Sequence, residues 1–426
     1  MSAPLAPALQ EALLAGVDEQ YAVDLLQRAV RTPSITGGEL AFAQLLAGEL
    51  RAAGADEVHV EEVEPGRPIV WSVTRGSGGG ASLLLAGHLD TVRVDGWAER
   101  WRGTEREDPF GAAIVDGAVW GRGAGDLKGG IAAAIAAART VAGVAGPLAG
   151  DLITAWICDE ESGEPGLGRS VGMRALVARM AAGTVPQADF AVYVEPTSLD
   201  VYPAQIGFLI ADVALAGRSA YFGRPEEGVD ALRAAHRVLS ELWALADAVG
   251  AREPHPLLGR PALLVTEAAA GGYIAVPGSA RLSLIRTAVP SEDLAAAAAE
   301  IESAVARAVD GTGVTATVAF PAGRDHPVGG LPSELPADAA PVAALRGCVA
   351  AVAPGAGGLG GAPFWSEASF LAARGIPCVY FAPGDIANCH TAEEHVAVRE
   401  VLDAARALSL FIAGHCGTGR TQGAQP

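Results

Sequence analysis

Residues 82–92 read SLLLAGHLDTV, a nearly continuous apolar run followed at once by a histidine and an acid. Residues 152–158, 190–194 and 378–381 form three more short apolar runs of the same kind. Strands that are buried on both faces have this composition, because helices cover both sides of a parallel sheet. The Ala-rich residues 130–142 lie between the first two runs and predict the crossover helix that joins parallel strands. The sequence therefore predicts an α/β fold with a mainly parallel sheet flanked by helices.

A second region, residues 206–320, has a different pattern. It predicts the order strand, helix, strand, strand, helix, strand, which is the split βαβ or ferredoxin-like arrangement and forms a compact domain of its own. The buried-strand pattern then returns near Cys378. We therefore expect a larger domain made of residues 1–205 and 321–426, with residues 206–320 inserted into it.

The composition excludes several classes of partner. The 426-residue chain has 30 Lys and Arg residues against 49 Asp and Glu residues, a formal net charge of −19. This balance leaves no large basic face for phosphates or an anionic membrane, so we expect neither nucleic acid nor a membrane as partner. The five cysteines are scattered without the paired spacing of a zinc ribbon, and the first residues lack the basic start of a signal peptide. These features predict a cytoplasmic protein.

Acids and histidines follow the predicted strands, at the edge where open α/β sheets bind their ligands. Asp126, in the segment GRGAGDLKGG, directly precedes the predicted crossover helix. The residues that follow the four apolar runs in order are His88 and Asp90, then Glu160 and Glu161, then Glu195, and finally His390. We expect these side chains to form one site.

These side chains are suited to binding metal ions. Imidazole nitrogens and carboxylate oxygens are good ligands for zinc, cobalt or manganese, and two such ions held close together need a bridging carboxylate. One allocation gives the first ion His88, Asp126 and Glu195. It gives the second ion Asp126, Glu161 and His390, so that Asp126 is the bridge. Two divalent ions are therefore expected, with zinc favoured and cobalt or manganese as alternatives.

Two carboxyl groups have predicted roles beside the ions. Asp90 would accept the remaining ring N–H of His88 and fix the orientation of the ring, although it could equally cap a helix. Glu160, next to a ligand but not itself a ligand, is placed to take a proton from water.

Simpler interpretations stand beside these assignments. Glu160 and Glu161 would form a solvated pair about as often as a catalytic one, although adjacent acids after a buried strand are costly without a cation. Asp126 and Glu195 could each cap a helix. Cys389, beside a predicted histidine ligand, suggests a thiol nucleophile, but no third partner for it is evident.

Five segments resemble, in order, the metal-site motifs of a known family. The family is that of the two-metal amidohydrolases and exopeptidases, which includes acetylornithine deacetylase, succinyl-diaminopimelate desuccinylase, aminoacylase and glutamate carboxypeptidase. The resemblance covers almost the whole chain, and GRSAYFGRPEEGVDA at 217–231 resembles the small-domain motif. The five segments are GHLDTV at 87–92, GRGAGDLKGG at 121–130, DEESG at 159–163, VEPT at 194–197 and HTAEEHV at 390–396.

The resemblance implies a role for each site residue. It implies that Glu160 is the general base and that the inserted domain acts as lid and dimer interface, so a homodimer is expected. The ligands that it implies are His88, Asp126, Glu161, Glu195 and His390.

The chain departs from the family pattern in the inserted domain. Tyr221 stands where the family has a lid histidine that reaches the substrate carbonyl, and Ile274 stands where an asparagine is expected, three residues before Pro277. A tyrosine hydroxyl can donate a hydrogen bond but carries no positive charge near neutral pH. Arg286 matches the family arginine that holds a substrate carboxylate, a role that suits a guanidinium.

Three functions are compatible with these features. The leading hypothesis is hydrolysis of the amide bond of an N-acyl amino acid or a small peptide-like substrate, by water activated between two metals with Glu160 as general base. A second hypothesis keeps the metals but runs a non-hydrolytic acyl-transfer or condensation reaction, because Tyr221 replaces the lid histidine. A third is a non-catalytic metal-binding scaffold.

Overall fold

The computed structural model describes residues 5–161 and 167–418. The helices within these residues are α1 (Pro7–Ala15), α2 (Glu19–Val30), α3 (Leu40–Ala52), α4 (Trp97–Trp101), α5 (Gly129–Val144), α6 (Val171–Ala181), α7 (Ala231–Gly250), α8 (Leu294–Val309), α9 (Ala340–Val352), α10 (Ala368–Ala373) and α11 (Val398–Cys416).

The strands lie within the same described residues. They are β1 (Glu57–Glu64), β2 (Arg67–Thr74), β3 (Leu83–His88), β4 (Ala113–Val115), β5 (Ala118–Trp120), β6 (Leu152–Ile157), β7 (Phe190–Tyr193), β8 (Val201–Gln205), β9 (Gly207–Ala216), β10 (Leu263–Ala270), β11 (Ser279–Ala288), β12 (Thr315–Ala319), β13 (Gly329–Gly330), β14 (Ser333–Glu334), β15 (Leu359–Ala362), β16 (Cys378–Tyr380) and β17 (His395–Ala397).

The chain divides into two compact units. The first comprises Met1–Pro203, Leu335–Gly360 and Phe370–Pro426. The second comprises Ala204–Glu334 and Gly361–Ser369.

The first unit is built on a large sheet with strand order β1-β2-β6-β3-β7-β16-β8. The predicted α/β class is confirmed, and the parallel pairings join β6, β3, β7 and β16 at the centre. The outer pairs are antiparallel, partly because β1 and β2 are connected by a tight turn in which Gly66 has a φ of +74°. Every residue of β3, β6 and β7 is buried, as the apolar runs predict.

Helices cover this sheet. The predicted crossover helix is α5, which packs against α2 and α11, while α3 and α6 pack against β1 and β2. Among the described residues, Ala124–Val144 is the one segment with the length and composition of a membrane span, and 78% of its apolar window is buried inside the protein. Such burial is what a core helix requires.

The second unit contains a separate antiparallel sheet with strand order β10-β11-β9-β12. Its elements follow the predicted order of strand, helix, strand, strand, helix, strand, with α7 and α8 packed on the sheet and on each other. Side chains alternate between buried and exposed along β9 and β11, because the helices cover one face. Leu209, Leu284, Val238 and Ile301 lie in the resulting core.

One glycine allows α5 to approach the sheet closely. A Cβ atom added at Gly130 would lie 2.4 Å from the carbonyl oxygen of Val194, the residue that follows β7 by one position. Gly143, in the last turn of the same helix, has nothing within 4 Å of the corresponding point. The first turn of α5 can thus approach the sheet only because Gly130 has no side chain.

We expect Gly130→Ala to destabilise the protein by about 1–3 kcal/mol, because the new methyl group must displace the main chain at Val194. The matched Gly143→Ala substitution should be neutral or stabilising by up to ~1 kcal/mol, because alanine favours the helix and meets no neighbour. Denaturant unfolding of both variants measures the difference. Equal stability of the two variants would contradict the close packing of α5.

Candidate metal centre

The central parallel strands bring the predicted site residues to one edge of the sheet. His88 is the last residue of β3, and Glu160 and Glu161 follow the end of β6. Glu195 follows β7 by two positions. Because β6, β3 and β7 are parallel neighbours, their carboxyl ends meet at the same edge.

Asp126 reaches this edge from a separate turn. It lies in the turn Ala124–Lys128, directly before α5, and every residue of this turn is buried. The peptide bond between Asp126 and Leu127 is cis. Gly123, which precedes the turn, has a φ of +84°, and an added Cβ atom would lie 2.8 Å from the Thr91 side chain. Glycine is therefore required where this turn begins.

The two oxygens of the Asp126 carboxylate face two different histidines. Oδ1 lies 3.0 Å from Nε2 of His88, and Oδ2 lies 3.1 Å from Nε2 of His390. Glu195 Oε1 lies 3.6 Å from His88 Nε2, and Glu161 Oε1 lies 3.0 Å from His390 Nε2. Within each set of three, the ligand atoms lie within 4.8 Å of one another. The two predicted ligand sets are therefore each brought together, with Asp126 in both.

The acids of this cluster outnumber its histidines. The side chains of Asp126, Glu161 and Glu195 are almost completely buried. Burial, followed by the charge of Asp126, raises the pKa values of Glu161 and Glu195. Burial would also raise the pKa of Asp126, but hydrogen bonds with His390 and His88 hold it below its ordinary value. Hydrogen bonds to Asp126 and Glu161 raise the pKa of His390 to about 11.

Such a set of donors fits divalent cations. Buried carboxylates are costly unless a positive charge is close to them, and the imidazole nitrogens and carboxylate oxygens are the ligand types that zinc, cobalt and manganese accept. An ion held by three protein ligands would keep a position for water or substrate.

The predicted contact between His88 and Asp90 is made by a different atom. His88 Nδ1 donates to the main-chain carbonyl oxygen of Asp90 at 2.8 Å, while the nearer carboxylate oxygen lies 3.9 Å away. The expectation that the carboxylate accepts this proton is thus wrong. The Asp90 carboxylate instead accepts hydrogen bonds from Thr36 Oγ1 and from the main-chain N–H groups of Glu160 and Glu161. Asp90 therefore positions both the histidine and the glutamate pair.

Glu160 lies at the same edge of the sheet. Its carboxylate forms a third group with His88 and Glu161, whose ligand atoms lie within 4.8 Å of one another. It is partly exposed, whereas Glu161 is buried. This arrangement leaves Glu160 accessible to solvent beside the two ligand sets.

Cys389 does not have the properties of a nucleophile. Its side chain is buried, and its Sγ lies 3.5 Å from the main-chain oxygen of Asp385. Burial, together with the charges of Asp126 and other acids, raises the pKa of the thiol far above its ordinary value.

The remaining predicted site residues lie in the second unit. Tyr221 and Ile274 are both 63% exposed. The main chain at Tyr221 forms an isolated antiparallel β-bridge with Ala275. Arg286 is completely buried, and its Nη2 lies 2.6 Å from Glu292 Oε1. The guanidinium is thus engaged with an acid of its own unit, so its substrate role stays a prediction that this contact does not support.

One residue of the centre was missed by sequence reasoning. Glu394 is 1% exposed and accepts main-chain hydrogen bonds from Gly123, Gly125 and Asp126. Its place in HTAEEHV, four residues after His390, is the only signal in the sequence that points to it.

A family model described as Peptidase family M20/M25/M40 matches residues 84–414. The chain belongs to this family. The match includes parts of both units and every segment that carries a ligand candidate, which confirms the resemblance found in the sequence.

Curated relatives of the family are similar to parts of the chain. Acetylornithine deacetylase from Proteus mirabilis (strain HI4320) is 31% identical over 242 residues, 55% of this chain and 57% of the relative. Succinyl-diaminopimelate desuccinylase from Methylobacterium nodulans (strain LMG 21967 / CNCM I-2342 / ORS 2060) is 37% identical over 177 residues, 41% of this chain and 42% of the relative. The chain thus spans about half the length of the curated relatives that it matches.

A solved structure has the same fold. The Bacillus subtilis YXEP protein, a dinuclear metal binding peptidase from the M20 family, is 13% identical and superposes with a TM-score of 0.66, covering 93% of this chain and 98% of that one. At this identity the similarity establishes the fold.

We expect zinc or cobalt to raise the unfolding temperature of metal-free protein, because ions that bind the folded state stabilise it by about 2.7 kcal/mol at 100 times their dissociation constant. Asp126→Asn should abolish most of this gain, because it removes the charge shared by both ligand sets. Asp116→Asn is the matched control, since the Asp116 side chain is 89% exposed. An unfolding temperature of the parent protein that is indifferent to added ions and to chelators would contradict the metal centre.

Proposed function

We propose that this protein hydrolyses the amide bond of an N-acyl amino acid or a small peptide-like substrate in a metal-dependent reaction. The observation that carries the proposal is the shared carboxylate of Asp126, whose two oxygens lie 3.0 and 3.1 Å from the Nε2 atoms of His88 and His390. A carboxylate placed between two ligand sets is the feature that a pair of catalytic ions needs. Membership of the M20 family supports the same reaction class.

The relatives support the proposed substrate class. One is named for removing the acetyl group of acetylornithine and another for removing the succinyl group of succinyl-diaminopimelate. Both names describe cleavage of an acyl group from an amino acid. The proposal extends this reaction type to the present chain without assigning its acyl group.

The proposed ligands are His88, Asp126 and Glu195 for one ion, and Asp126, Glu161 and His390 for the other. When bound, two divalent ions would polarise the substrate carbonyl and lower the pKa of water. Zinc is the proposed metal, and cobalt or manganese would accept the same donors.

Glu160 is the proposed general base. As water attacks the carbonyl carbon, the Glu160 carboxylate takes its proton, and the same carboxyl group then returns the proton to the nitrogen of the leaving amine. Its partial exposure beside buried ligands supports this role, because a base must reach both water and substrate. Asp90 supports it by accepting the main-chain N–H of Glu160 at 3.2 Å.

Tyr221 is proposed to donate a hydrogen bond to the substrate carbonyl in place of the family's lid histidine. Its exposed side chain supports this role. A neutral hydroxyl would stabilise an oxyanion less strongly than a charged imidazole. Tyr221 is therefore expected to stabilise the oxyanion less than the family's histidine does.

We expect the metal-loaded protein to release free amine from at least one member of a panel of N-acetyl and N-succinyl amino acids and dipeptides. Glu160→Gln should lower the turnover number by about 10²–10⁴-fold and leave the metal content unchanged, because an amide cannot accept the proton. Glu161→Gln, the same change one residue away, should instead lower the metal content. Mass spectrometry of the products and elemental analysis of each variant measure both effects.

Two results would contradict the proposal. Absence of amine release from the whole panel by metal-loaded protein would count against hydrolysis, and new acylated products would favour the transfer reaction. Full activity of Glu160→Gln would exclude Glu160 as the general base.

We also propose that residues 206–320 serve as a lid and dimerisation domain and that the protein is a homodimer. Within the described residues β10 pairs only with β11, so it is an edge strand, and most of its residues are exposed. Unpaired edges and exposed apolar side chains are typical of association surfaces. The large exposed apolar residues of the second unit are Tyr221, Phe222, Leu232, Trp243, Leu264, Tyr273 and Ile274.

Sedimentation is expected to give twice the mass of one chain. Leu264→Asp should shift the protein towards the monomer, because Leu264 is 61% exposed in β10 and a carboxylate would have to be desolvated there. Ile114→Asp is the control, since Ile114 is 46% exposed in the first unit. A parent protein that sediments as one chain at micromolar concentration would exclude the dimer.

A further inference from the structure

A single carboxylate oxygen holds the turn that carries Asp126. Oε1 of Glu394 accepts hydrogen bonds from the main-chain N–H groups of Gly123 at 2.9 Å, Gly125 at 3.2 Å and Asp126 at 3.1 Å. Convergent main-chain N–H groups of this kind form a concave site for an anion. Here the anion belongs to the protein itself.

The second oxygen of Glu394 is bound by a buried cation. Nη1 of Arg122 donates to Oε2, and the Arg122 and Glu394 side chains are 3% and 1% exposed. Arg122 is held in turn by a hydrogen bond from Nε to the main-chain oxygen of Arg93 at 3.0 Å. The main chain adds a further link, because the N–H of Gly121 donates to the carbonyl oxygen of Glu394 at 3.2 Å.

These contacts join two distant parts of the chain at the metal centre. Glu394 follows His390 by four positions, whereas the groups that it binds belong to Asp126 and its turn. The main-chain position of the bridging carboxylate is thus tied to the segment that supplies the second histidine. The side chains of Asp126 and His390 then meet at 3.1 Å.

We propose that Glu394 is a positioning residue that fixes the carboxylate of Asp126 relative to His390 and thereby sets the metal affinity of the centre. The inference rests on the proposed function, since it assigns Glu394 a role in the same site. A carboxylate suits this position because the four groups hydrogen-bonded to it among the described residues are all donors. An amide of the same shape would turn its NH₂ group towards either Arg122 or the main-chain N–H groups. One donor would then face another, and a hydrogen bond would be lost.

Glu394→Gln tests this role, and Glu393→Gln is its matched control. Glu393 is the adjacent residue, its side chain is 42% exposed and it pairs with Arg100 on the surface. Metal-free protein is titrated with cobalt(II), whose visible absorption reports both the affinity and the geometry of the ligands. We expect Glu394→Gln to weaken cobalt binding by about 10–100-fold and to change the spectrum, as the loss of an outer partner of a metal ligand does. Glu393→Gln should match the parent in both respects.

Glu394→Asp is the second variant, because it keeps the charge that the buried Arg122 requires and is the less disruptive change. Its carboxylate is one methylene shorter and cannot reach both the turn and Arg122, so cobalt binding should weaken in the same direction. A purely structural role would lower the unfolding temperature of the metal-free variants and leave the cobalt spectrum and affinity as in the parent.

The outcomes separate this inference from the proposed function. If the parent binds cobalt and both Glu394 variants give its affinity and spectrum, the positioning role is overturned and the proposed function stands. If the parent binds no cobalt, the proposed function fails and the positioning role fails with it.

Discussion

One electrostatic constraint governs the first unit. Several buried carboxylates lie together at the carboxyl ends of its central strands, and their negative charges must be offset. Asp126, Glu161 and Glu195 are buried, and the ligand atoms of Asp126 lie within 4.8 Å of those of the other two acids. An interior of low dielectric makes such a group unfavourable without cations. The same constraint is seen in the pKa values of Glu161 and Glu195, which burial and the charge of Asp126 raise. Divalent ions bound at this edge would offset the negative charge.

The fold produces this concentration of charge through main-chain packing. Parallel pairing brings the ends of β6, β3 and β7 to one edge, and the missing side chain at Gly130 lets α5 begin against the residue before Glu195. The turn before α5 can then present Asp126 to both histidines. The strand ends therefore bring the donors to one edge, and the contacts of Glu394 hold the turn of Asp126 there.

Much of this arrangement could be predicted from the sequence, because strand ends are readable as apolar runs followed by acids and histidines. His88, Glu161 and Glu195 follow such runs, and their parallel order places them together. The contacts of Asp90 and Glu394 could not be predicted, since they involve main-chain N–H and carbonyl groups that every residue possesses. The antiparallel hairpin of β1 and β2 was also absent from the prediction, because β1 is rich in charged residues and lacks an apolar run.

The buried pair of Arg286 and Glu292 restricts how the second unit can change during evolution. Loss of Glu292 would leave the completely buried Arg286 guanidinium without its carboxylate, whereas loss of Arg286 would leave Glu292 paired with Arg252. A lineage that retains this arginine must therefore retain the acid six positions later as well. The dependence runs in one direction, because the acid keeps Arg252 as a partner when the arginine is lost.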